Sequence, residues 1–274
     1  MPDYRLIALD LDGTLLSSSK QLSAENAAAL QLASEHGALI VPTTGRFFGG
    51  MPQVIQELPY LRYVITINGA QVLDIQSGKS IYRAELPLDC ALAILEYLDT
   101  LPVIYDCYCD SWGWMTRAMQ ETAPKFITDA HSLKMVQELR TPVDELKCYL
   151  RARGDDVQKI QLFVGNVSHR PAIMAELTRR FPETVVSSSL ANNIEINTSA
   201  ANKGSAVRAL AMHLGIPMEQ TIAFGDGGND LSMIRMCGLG VAMANACPEV
   251  LAAADRVTGS CDENGVAAVL QTIF

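Results

Sequence analysis

The sequence predicts an α/β protein with a doubly wound parallel core sheet, into which a second, α+β domain is inserted. Three short apolar runs near the N-terminus, at 6–9, 38–41 and 63–67, end in turn residues and are separated by helical segments. The order strand, helix, strand, helix, strand is typical of a parallel sheet with helices on both faces. This alternation is lost after about residue 84 and resumes near Asn193, which indicates the insertion.

The length and composition fit a globular protein of two domains. The chain has 274 residues, of which 49% are hydrophobic and 19% charged. Its net charge is −9 and its basic residues are scattered. A nucleic-acid partner is therefore not expected, because phosphate backbones are bound by clustered Lys and Arg. An anionic small substrate is compatible with the charge if a local site attracts it.

The cysteines and the N-terminus favour a cytoplasmic setting. Seven cysteines occur at irregular spacing without a CxxC pair, so neither a disulfide framework nor a structural zinc site is expected. The N-terminus lacks the features of a signal peptide, and no uncharged apolar stretch approaches the roughly 20 residues that cross a bilayer. We expect a cytoplasmic protein without a membrane partner, and the sequence leaves the oligomeric state open.

The first part of the core, residues 1–84, is predicted to start on a buried strand that runs into Asp10 and Asp12. Ser23 can cap the helix that follows, and Gly37 can end it. The remaining predicted elements of this part are a strand at 38–41, a loose helix to about 58, a strand at 63–67 and a hairpin around 76–79.

The insertion is predicted to span residues 85–189 and to mix helices with strands. Its aromatic residues Tyr105, Tyr108, Trp112 and Trp114 are expected to pack against neighbours, because aromatic side chains on strands do so more often than they bind ligands. The predicted elements are helices at 88–98 and 168–180 and strands at 103–109, 113–116, 160–164 and 185–188.

The second part of the core, residues 190–274, resumes the alternating pattern. Lys203 begins a helix with Ala, Val and Leu at helical spacing, and Gly215 and Pro217 end it. The other predicted elements are a strand at 221–224, a short helix to 236, a strand at 239–243 and helices around 248–254 and 264–272.

Polar residues follow several of the predicted core strands. Asp10 and Asp12 follow the first strand, Thr44-Gly45-Arg46 the second, and Asp226 with Asn229-Asp230 the strand at 221–224. The carboxyl ends of parallel strands lie along one edge of the sheet, so these clusters can converge. Carboxylates suit Mg²⁺, whereas a lysine, a threonine hydroxyl and backbone amides suit a phosphoryl group.

These segments resemble the four motifs of haloacid dehalogenase-like hydrolases, and their order and spacing are similar to the Cof-type phosphatase branch. In that branch a large α/β cap is inserted between the second and third motifs. The resemblance covers the whole Rossmann-like core, and the insertion has the length and mixed character of the cap. The matching segments are Asp10-Leu11-Asp12-Gly13-Thr14, Thr43-Thr44-Gly45-Arg46, Asn68-Gly69-Ala70, Lys203-Gly204 and the stretches 225–230, 241–246 and 262–266.

The resemblance implies a Mg²⁺-dependent phosphatase that acts on small phosphorylated metabolites, such as sugar phosphates or phosphorylated cofactors. Asp10 would attack phosphorus and form an aspartyl-phosphate. Asp12 would protonate the leaving oxygen and then take a proton from the hydrolytic water. The metal ion would be held by the carboxylates of Asp10 and Asp226 and by the backbone carbonyl of Asp12.

The resemblance also assigns the residues around the phosphoryl group. Asp230 would lie behind them and orient Lys203 or a water of the metal ion. For Arg46 and Asn68, which lie near the same edge, a structural hydrogen-bonding role is favoured. The phosphoryl oxygens would be oriented by Leu11, Thr44, Gly45, Lys203 and Asn229.

Two other functions fit the same residues. In a phosphomutase, Asp10 would pass the phosphoryl group between two positions of one sugar, and a large cap does not distinguish that reaction from hydrolysis. A non-catalytic phosphate-binding regulatory protein could keep the same scaffold, although the presence of every expected catalytic residue counts against it. Neither the substrate nor the cap residues that select it follow from the sequence.

Overall fold

The structure, a computed structural model, describes residues 3–188 and 190–274 and divides into two compact units. The core consists of the chain up to Arg83 together with Ala201–Phe274, and the inserted unit of Ala84–Ala200. An insertion at the predicted place is therefore present. This unit begins at Ala84, next to the predicted 85, and ends at Ala200, whereas the predicted end is 189. Ser189 itself lies outside the described residues.

The strands and helices follow one another along the whole chain. In chain order the strands are β1 (Leu6–Leu9), β2 (Leu39–Pro42), β3 (Tyr63–Thr66), β4 (Gln71–Asp74), β5 (Lys79–Arg83), β6 (Val103–Cys109), β7 (Trp112–Thr116), β8 (Arg140–Val143), β9 (Lys159–Val164), β10 (Thr184–Ser187), β11 (Asn193–Thr198), β12 (Thr221–Gly225), β13 (Leu239–Ala242) and β14 (Arg256–Val257). The α-helices are α1 (Ala24–Glu35), α2 (Gln53–Gln56), α3 (Leu88–Leu98), α4 (Arg117–Thr122), α5 (Ala130–Glu138), α6 (Leu146–Arg153), α7 (Arg170–Arg180), α8 (Lys203–Leu214), α9 (Leu231–Met236), α10 (Pro248–Ala253) and α11 (Gly265–Leu270). Among these described helices, none has the length and apolar character that a membrane span requires.

The core is built on a five-stranded sheet in the order β14-β13-β12-β1-β2, and every neighbouring pair is parallel. Because strand side chains alternate, β1 supplies both layers of the hydrophobic core. Ile7 and Leu9 pack with residues of α1 and α11 on one face, and Leu6 and Ala8 pack with residues of α8 and α9 on the other. This is the doubly wound arrangement that the sequence predicts.

The third predicted strand does not extend this parallel sheet. β3 pairs antiparallel with β4, and β4 with β5, so the three strands form a sheet of their own. A parallel bridge between Thr43 and Ile65 connects it to the residue that follows β2. The loose helix predicted before β3 is reduced to a 3₁₀ turn, Phe48–Gly50, and the single turn of α2. The predicted hairpin is present as β4 and β5.

The inserted unit contains a six-stranded sheet in the order β10-β11-β9-β6-β7-β8, antiparallel except for the pair β7–β8. β11 pairs with β10 on one side and with β9 on the other, so this strand belongs to the inserted unit. The predicted boundary at 189 is early for this reason. The alternating pattern of the sequence resumes near Asn193, but this pattern does not identify the sheet to which the segment belongs.

One face of this sheet is apolar and is covered by α3, α6 and α7. Tyr105 points into that layer, and Trp114 packs there with its ring 4.5 Å from the ring of Tyr149. Tyr108 is buried on the opposite face. These three aromatic residues pack as predicted, whereas Trp112 is 36% exposed and donates to the Thr141 hydroxyl.

The opposite face carries a buried cluster of two acids and two bases. The Arg140 Nε atom lies 3.2 Å from Asp106 Oδ2, and the Lys159 Nζ atom lies 3.3 Å from Glu195 Oε1. Both cations also lie within 4.6 Å of the centre of the Tyr108 ring. Burial raises the pKa of Asp106 against the opposing charges of Arg140 and Lys159. The positive and negative charges of the cluster are equal in number, so removal of one acid leaves a buried positive charge uncompensated.

We expect Asp106→Ala to lower the free energy of unfolding by about 3 kcal/mol, because it leaves the buried Arg140 without its carboxylate partner. The control is Asp144→Ala in the same unit, whose side chain is 93% exposed and only loosely paired with Arg117 at 3.8 Å. This control should change the stability by less than about 1 kcal/mol. Urea unfolding followed by circular dichroism measures both. Equal losses for the two variants would contradict a special role of the buried cluster.

Candidate active site

The predicted site residues lie at the carboxyl ends of neighbouring core strands. Asp10 follows β1, Thr44 follows β2 by two residues, and Asp226 follows β12 directly. β1 lies between β12 and β2 in the sheet, so these three positions are adjacent. Lys203 is the first residue of α8, whose start is capped by Asn202 through a bond from the amide of Ser205.

A buried ion-paired group formed by Asp10, Lys203 and Asp230 lies at the centre of the site. The Lys203 Nζ atom is 2.5 Å from Asp10 Oδ1 and 2.5 Å from Asp230 Oδ1. Lys203 is fully buried, and burial would lower its pKa, but the two carboxylates raise it overall. The ammonium group therefore stays charged and bridges β1 with the loop that follows β12.

Asp230 also organises the backbone of its own loop. Its Oδ2 atom accepts hydrogen bonds from the amides of Asp226 (2.9 Å) and Gly227 (2.8 Å). Both of its oxygens are thus engaged, one by Lys203 and one by two amides. Asp230 therefore braces the loop and the lysine. Its place behind the reacting groups stays a prediction.

Asp226 lies beside Asp10 and faces the loop after β1. The hydroxyl of Thr14 donates to Asp226 Oδ1 at 2.8 Å. Gly13 has a left-handed φ of +91°, and a Cβ atom there would lie 2.5 Å from Asp226 Oδ2. Glycine is therefore required at position 13, both for the turn and for the space beside this carboxylate.

The donor set fits a hard divalent cation. Oxygens of Asp10, Asp226 and Asp230 lie within 4.8 Å of one another. Burial raises the pKa of Asp10 to about 8 despite the charge of Lys203, and burial also raises the pKa of Asp226. Carboxylates crowded in this way are compensated by a cation, and oxygen ligands are those that Mg²⁺ prefers. Since Asp230 is already engaged, Asp10 and Asp226 are the two side chains that would hold it.

Among the described residues, the group of converging carboxylates consists of Asp10, Asp226 and Asp230 and does not include Asp12. Arg46 donates two hydrogen bonds to the Asp12 carboxylate, from Nε to Oδ2 and from Nη2 to Oδ1, each 2.9 Å long. Lys20 adds an ion pair of 2.9 Å to Oδ1. Burial would raise the pKa of Asp12, but the bonds and charges of Arg46 and Lys20 outweigh it and lower the pKa. The carbonyl of Asp12 is the atom predicted to reach the metal ion, and that prediction does not involve the side chain.

The predicted phosphate-binding residues Gly45 and Asn229 are connected through Asn68, for which the sequence favours a structural hydrogen-bonding role. Asn68 Oδ1 accepts from Asn229 Nδ2 at 3.2 Å, and a Cβ atom on Gly45 would lie 2.7 Å from it. The Asn68 amide donates to the carbonyl of Thr44 at 3.0 Å. Asn68 therefore links the loop after β2 with the loop after β12. Leu11, the remaining predicted phosphate ligand, lies between Asp10 and Asp12 with its side chain in the core.

The backbone of this turn is strained. Ile67 and Asn68 have φ values of +54° and +57°, which L residues rarely adopt, and Ile67 is β-branched. Such residues cost of order 1–3 kcal/mol each and persist only where the surroundings hold them. The amide of Ile67 donates to the carbonyl of Arg46 at 2.9 Å, and Gly69 lies against the backbone of Asn202, just before α8. Asn68-Gly69 was the signal in the sequence, since Asn and Gly tolerate this conformation.

The whole chain is similar to known proteins. A family model described as haloacid dehalogenase-like hydrolase matches residues 7–270. The HMP-PP phosphatase of Serratia proteamaculans is 30% identical and covers 98% of this chain and 94% of its own. The 5-amino-6-(5-phospho-D-ribitylamino)uracil phosphatase YcsE of Bacillus subtilis is 29% identical, with coverage of 98% and 95%. A crystal structure of a haloacid dehalogenase-like hydrolase from Bacteroides thetaiotaomicron superposes with a TM-score of 0.84, at 28% identity and with 99% and 100% of the two chains covered.

We expect MgCl₂ to raise the thermal midpoint of unfolding by at least about 3 °C relative to EDTA, because a ligand that binds only the folded state stabilises it. Asp226→Asn should remove most of this shift, since it takes one carboxylate from the cation site. Asp3→Asn, at an exposed acid of the core, is the control and should keep the shift. Differential scanning fluorimetry measures all three proteins. A shift of the same size in Asp226→Asn would place the bound cation elsewhere.

Proposed function

The chain belongs to the haloacid dehalogenase-like hydrolases, and we propose that it is a Mg²⁺-dependent phosphatase that hydrolyses small phosphorylated metabolites through an aspartyl-phosphate on Asp10. The observation that carries this proposal is the buried group in which Lys203 bridges Asp10 and Asp230 beside Asp226. A fixed nucleophile, a permanent positive charge and a cation site meet there within one loop cluster. This combination suits transfer of an anionic phosphoryl group.

Asp10 is the nucleophile in the proposed first step. Lys203 contacts its Oδ1 atom, which leaves Oδ2 as the oxygen that attacks phosphorus. A bond forms between this oxygen and phosphorus while the ester bond to the leaving oxygen breaks. The strand end and the lysine hold the carboxylate in one orientation, so little reorganisation is needed before attack.

Asp12 carries the proton in both steps. It protonates the leaving oxygen as the ester bond breaks, and then accepts a proton from the water that attacks the aspartyl-phosphate. Attack of that water on phosphorus releases inorganic phosphate and restores the Asp10 carboxylate. The cations around Asp12 favour its carboxylate form, which is the form that accepts a proton from the hydrolytic water. The proton accepted there is the one that Asp12 gives to the leaving oxygen in the next turnover.

Lys203 and the two loops after β2 and β12 would bind the transferring phosphoryl oxygens. Thr44 and Asn229 supply a hydroxyl and an amide, and the backbone amides of Leu11 and Gly45 supply two further donors. The contacts through Asn68 keep the two loops in register. We assign these donors from the family motifs and from their convergence on one edge of the sheet.

The proposed metal ligands are the carboxylates of Asp10 and Asp226 and the backbone carbonyl of Asp12. Bound there, Mg²⁺ would offset the repulsion between an anionic nucleophile and a phosphate dianion. Lys203 provides part of the same compensation permanently. Asp230 acts on the site only through Lys203 and the amides of Asp226 and Gly227.

The proposed substrate is a small phosphorylated metabolite in the cytosol. The two relatives named above are phosphatases of two different small compounds, so family membership does not select between sugar phosphates and phosphorylated cofactors. The seven cysteines are free thiols in the structure, which is compatible with a reducing compartment. Nothing in the charge of −9 favours a nucleic-acid substrate.

We expect the protein to hydrolyse p-nitrophenyl phosphate in the presence of Mg²⁺, with Asp10→Asn slower by at least about 10³-fold because the nucleophile is lost. Asp12→Asn should be slower by about 10²–10⁴-fold because proton transfer is lost. Asp3→Asn is the matched control and should retain wild-type turnover. If the wild type is no faster than both active-site variants, on this substrate and on a panel of metabolites, the enzyme proposal fails.

We further expect inorganic phosphate to be released from at least one member of a panel of sugar phosphates and phosphorylated cofactors. A phosphatase transfers the phosphoryl group to water, whereas a mutase returns it to the sugar. Phosphate release is measured colorimetrically, and the organic product is identified by chromatography. An isomerised sugar phosphate without released phosphate would replace the phosphatase proposal by a phosphomutase.

A further inference from the structure

Two cations hold the Asp12 carboxylate, and neither has a part in the chemistry proposed for Asp10, Lys203 and the metal ion. Arg46 binds both carboxylate oxygens, at 2.9 Å each, and Lys20 binds Oδ1 at 2.9 Å. A bidentate guanidinium contact fixes the plane of a carboxylate as well as its position. The arrangement therefore restricts the rotation of the Asp12 side chain more than a single ion pair would.

Arg46 is itself fixed from several directions. Its side chain is only 16% exposed, and its Nη1 atom donates to the carbonyl of Gly50 at 3.1 Å. Its amide donates to the Thr44 hydroxyl, and its carbonyl accepts from the strained Ile67. Arg46 thus ties the Asp12 carboxylate to the loop that follows β2.

Lys20 reaches Asp12 from a tight turn that places it there at a conformational cost. Its φ is +62°, in the left-handed region, and its amide donates to the carbonyl of Ser17 at 2.8 Å. The turn is closed by the bond from the Ser17 amide to the Gln21 carbonyl and is anchored by the bond from the Ser18 amide to Asp262 Oδ1. A left-handed backbone at a residue that is not glycine persists where other contacts hold it.

The Asp12 carboxylate is close to the proposed cation site. Asp12 lies two residues from Asp10, beside a group of carboxylates that converge on a cation site. A fourth carboxylate free to rotate could enter that group as an additional ligand. The contacts of the Asp12 carboxylate with Arg46 and Lys20 occupy both of its oxygens, and it is not part of the group formed by Asp10, Asp226 and Asp230.

We propose that Arg46 and Lys20 are positioning residues that act through Asp12, keeping its carboxylate out of the cation site and oriented for proton transfer to the leaving oxygen. This proposal rests on the proposed function, because it assigns a partner to the proton carrier of that reaction. Arg46 could instead serve only as a structural link to Gly50, and the experiment separates these two roles.

The test compares 4-nitrophenyl phosphate, the p-nitrophenyl phosphate used above, with phenyl phosphate. The leaving group of phenyl phosphate is more basic, so its departure depends more on a proton donor. For Arg46→Lys we expect kcat/KM to fall about tenfold more on phenyl phosphate than on 4-nitrophenyl phosphate. Lys20→Met, at a half-exposed side chain, should shift the ratio in the same direction by a smaller factor. Each variant is measured at its own pH optimum, so that a changed pKa of Asp12 is not mistaken for lost orientation. The controls are Arg62→Lys and Lys79→Met at exposed core positions, which should leave the ratio unchanged.

A double-mutant cycle with Asp12→Asn provides the second measurement. If Arg46 acts through Asp12, Arg46→Lys has little further effect on kcat/KM in the Asp12→Asn background. Equal losses on both aryl phosphates, or losses that add to that of Asp12→Asn, would overturn the proposal and leave Arg46 as a structural link. These outcomes leave the proposed function intact, provided that the wild type is active and Asp10→Asn is not. A wild type without phosphatase activity would overturn the proposed function and this inference together.

Discussion

The ion-paired group of Lys203 with Asp10 and Asp230 is the interaction on which the rest of the site depends. It joins the end of β1, the start of α8 and the loop after β12, which are far apart in the chain. Each partner is almost fully buried, so none of the three charges is tolerable without the others. Lys203 also lies in the first turn of a helix, where the helix dipole disfavours a cation. The fold therefore accepts an unfavourable position for the lysine, and two carboxylates compensate for it.

Asp10 and Asp12 leave the same strand but meet opposite environments. Burial dominates at Asp10 and raises its pKa, whereas Arg46 and Lys20 outweigh burial at Asp12 and lower its pKa. Two carboxylates with opposed shifts are commonly given different roles in catalysis. In this chain the difference arises from neighbours: Asp10 faces other acids beside Lys203, and Asp12 faces two bases. The strand alternation brings the two acids together, and the loops after β1 and β2 then separate them.

The core and the position of the site could be predicted from local patterns, because each motif lies at the end of a strand or the start of a helix that the sequence shows clearly. Asp10, Asp226 and Lys203 belong to this class. Other features depend on tertiary contacts. The alternating pattern resumes near Asn193, yet β11, which begins there, pairs with strands of the inserted unit. Residues 144–156 are rich in charges, so the sequence does not predict α6 there. Leu146 and Leu150, four residues apart, are nevertheless buried in that unit.

The contact between Lys20 and Asp12 also depends on tertiary structure and is not predicted by a local pattern. Lys20 lies in a polar stretch, Ser17 to Gln21, where no periodic pattern singles it out. Its contact with Asp12 arises from a left-handed turn and from the bond of the Ser18 amide to Asp262, 244 residues further along the chain. An ion pair of this kind depends on how a loop closes in the folded protein, and local sequence patterns do not predict that.

The strained turn at Ile67 and Asn68 explains why a site built from separate loops can be rigid. Its amides donate to the carbonyls of Arg46 and Thr44, its asparagine side chain accepts from Asn229, and Gly69 lies against the residue before Lys203. One short segment therefore contacts the loop after β2, the loop after β12 and the start of α8. The cost of two left-handed residues is thus balanced by a fixed geometry among the groups proposed to bind phosphate.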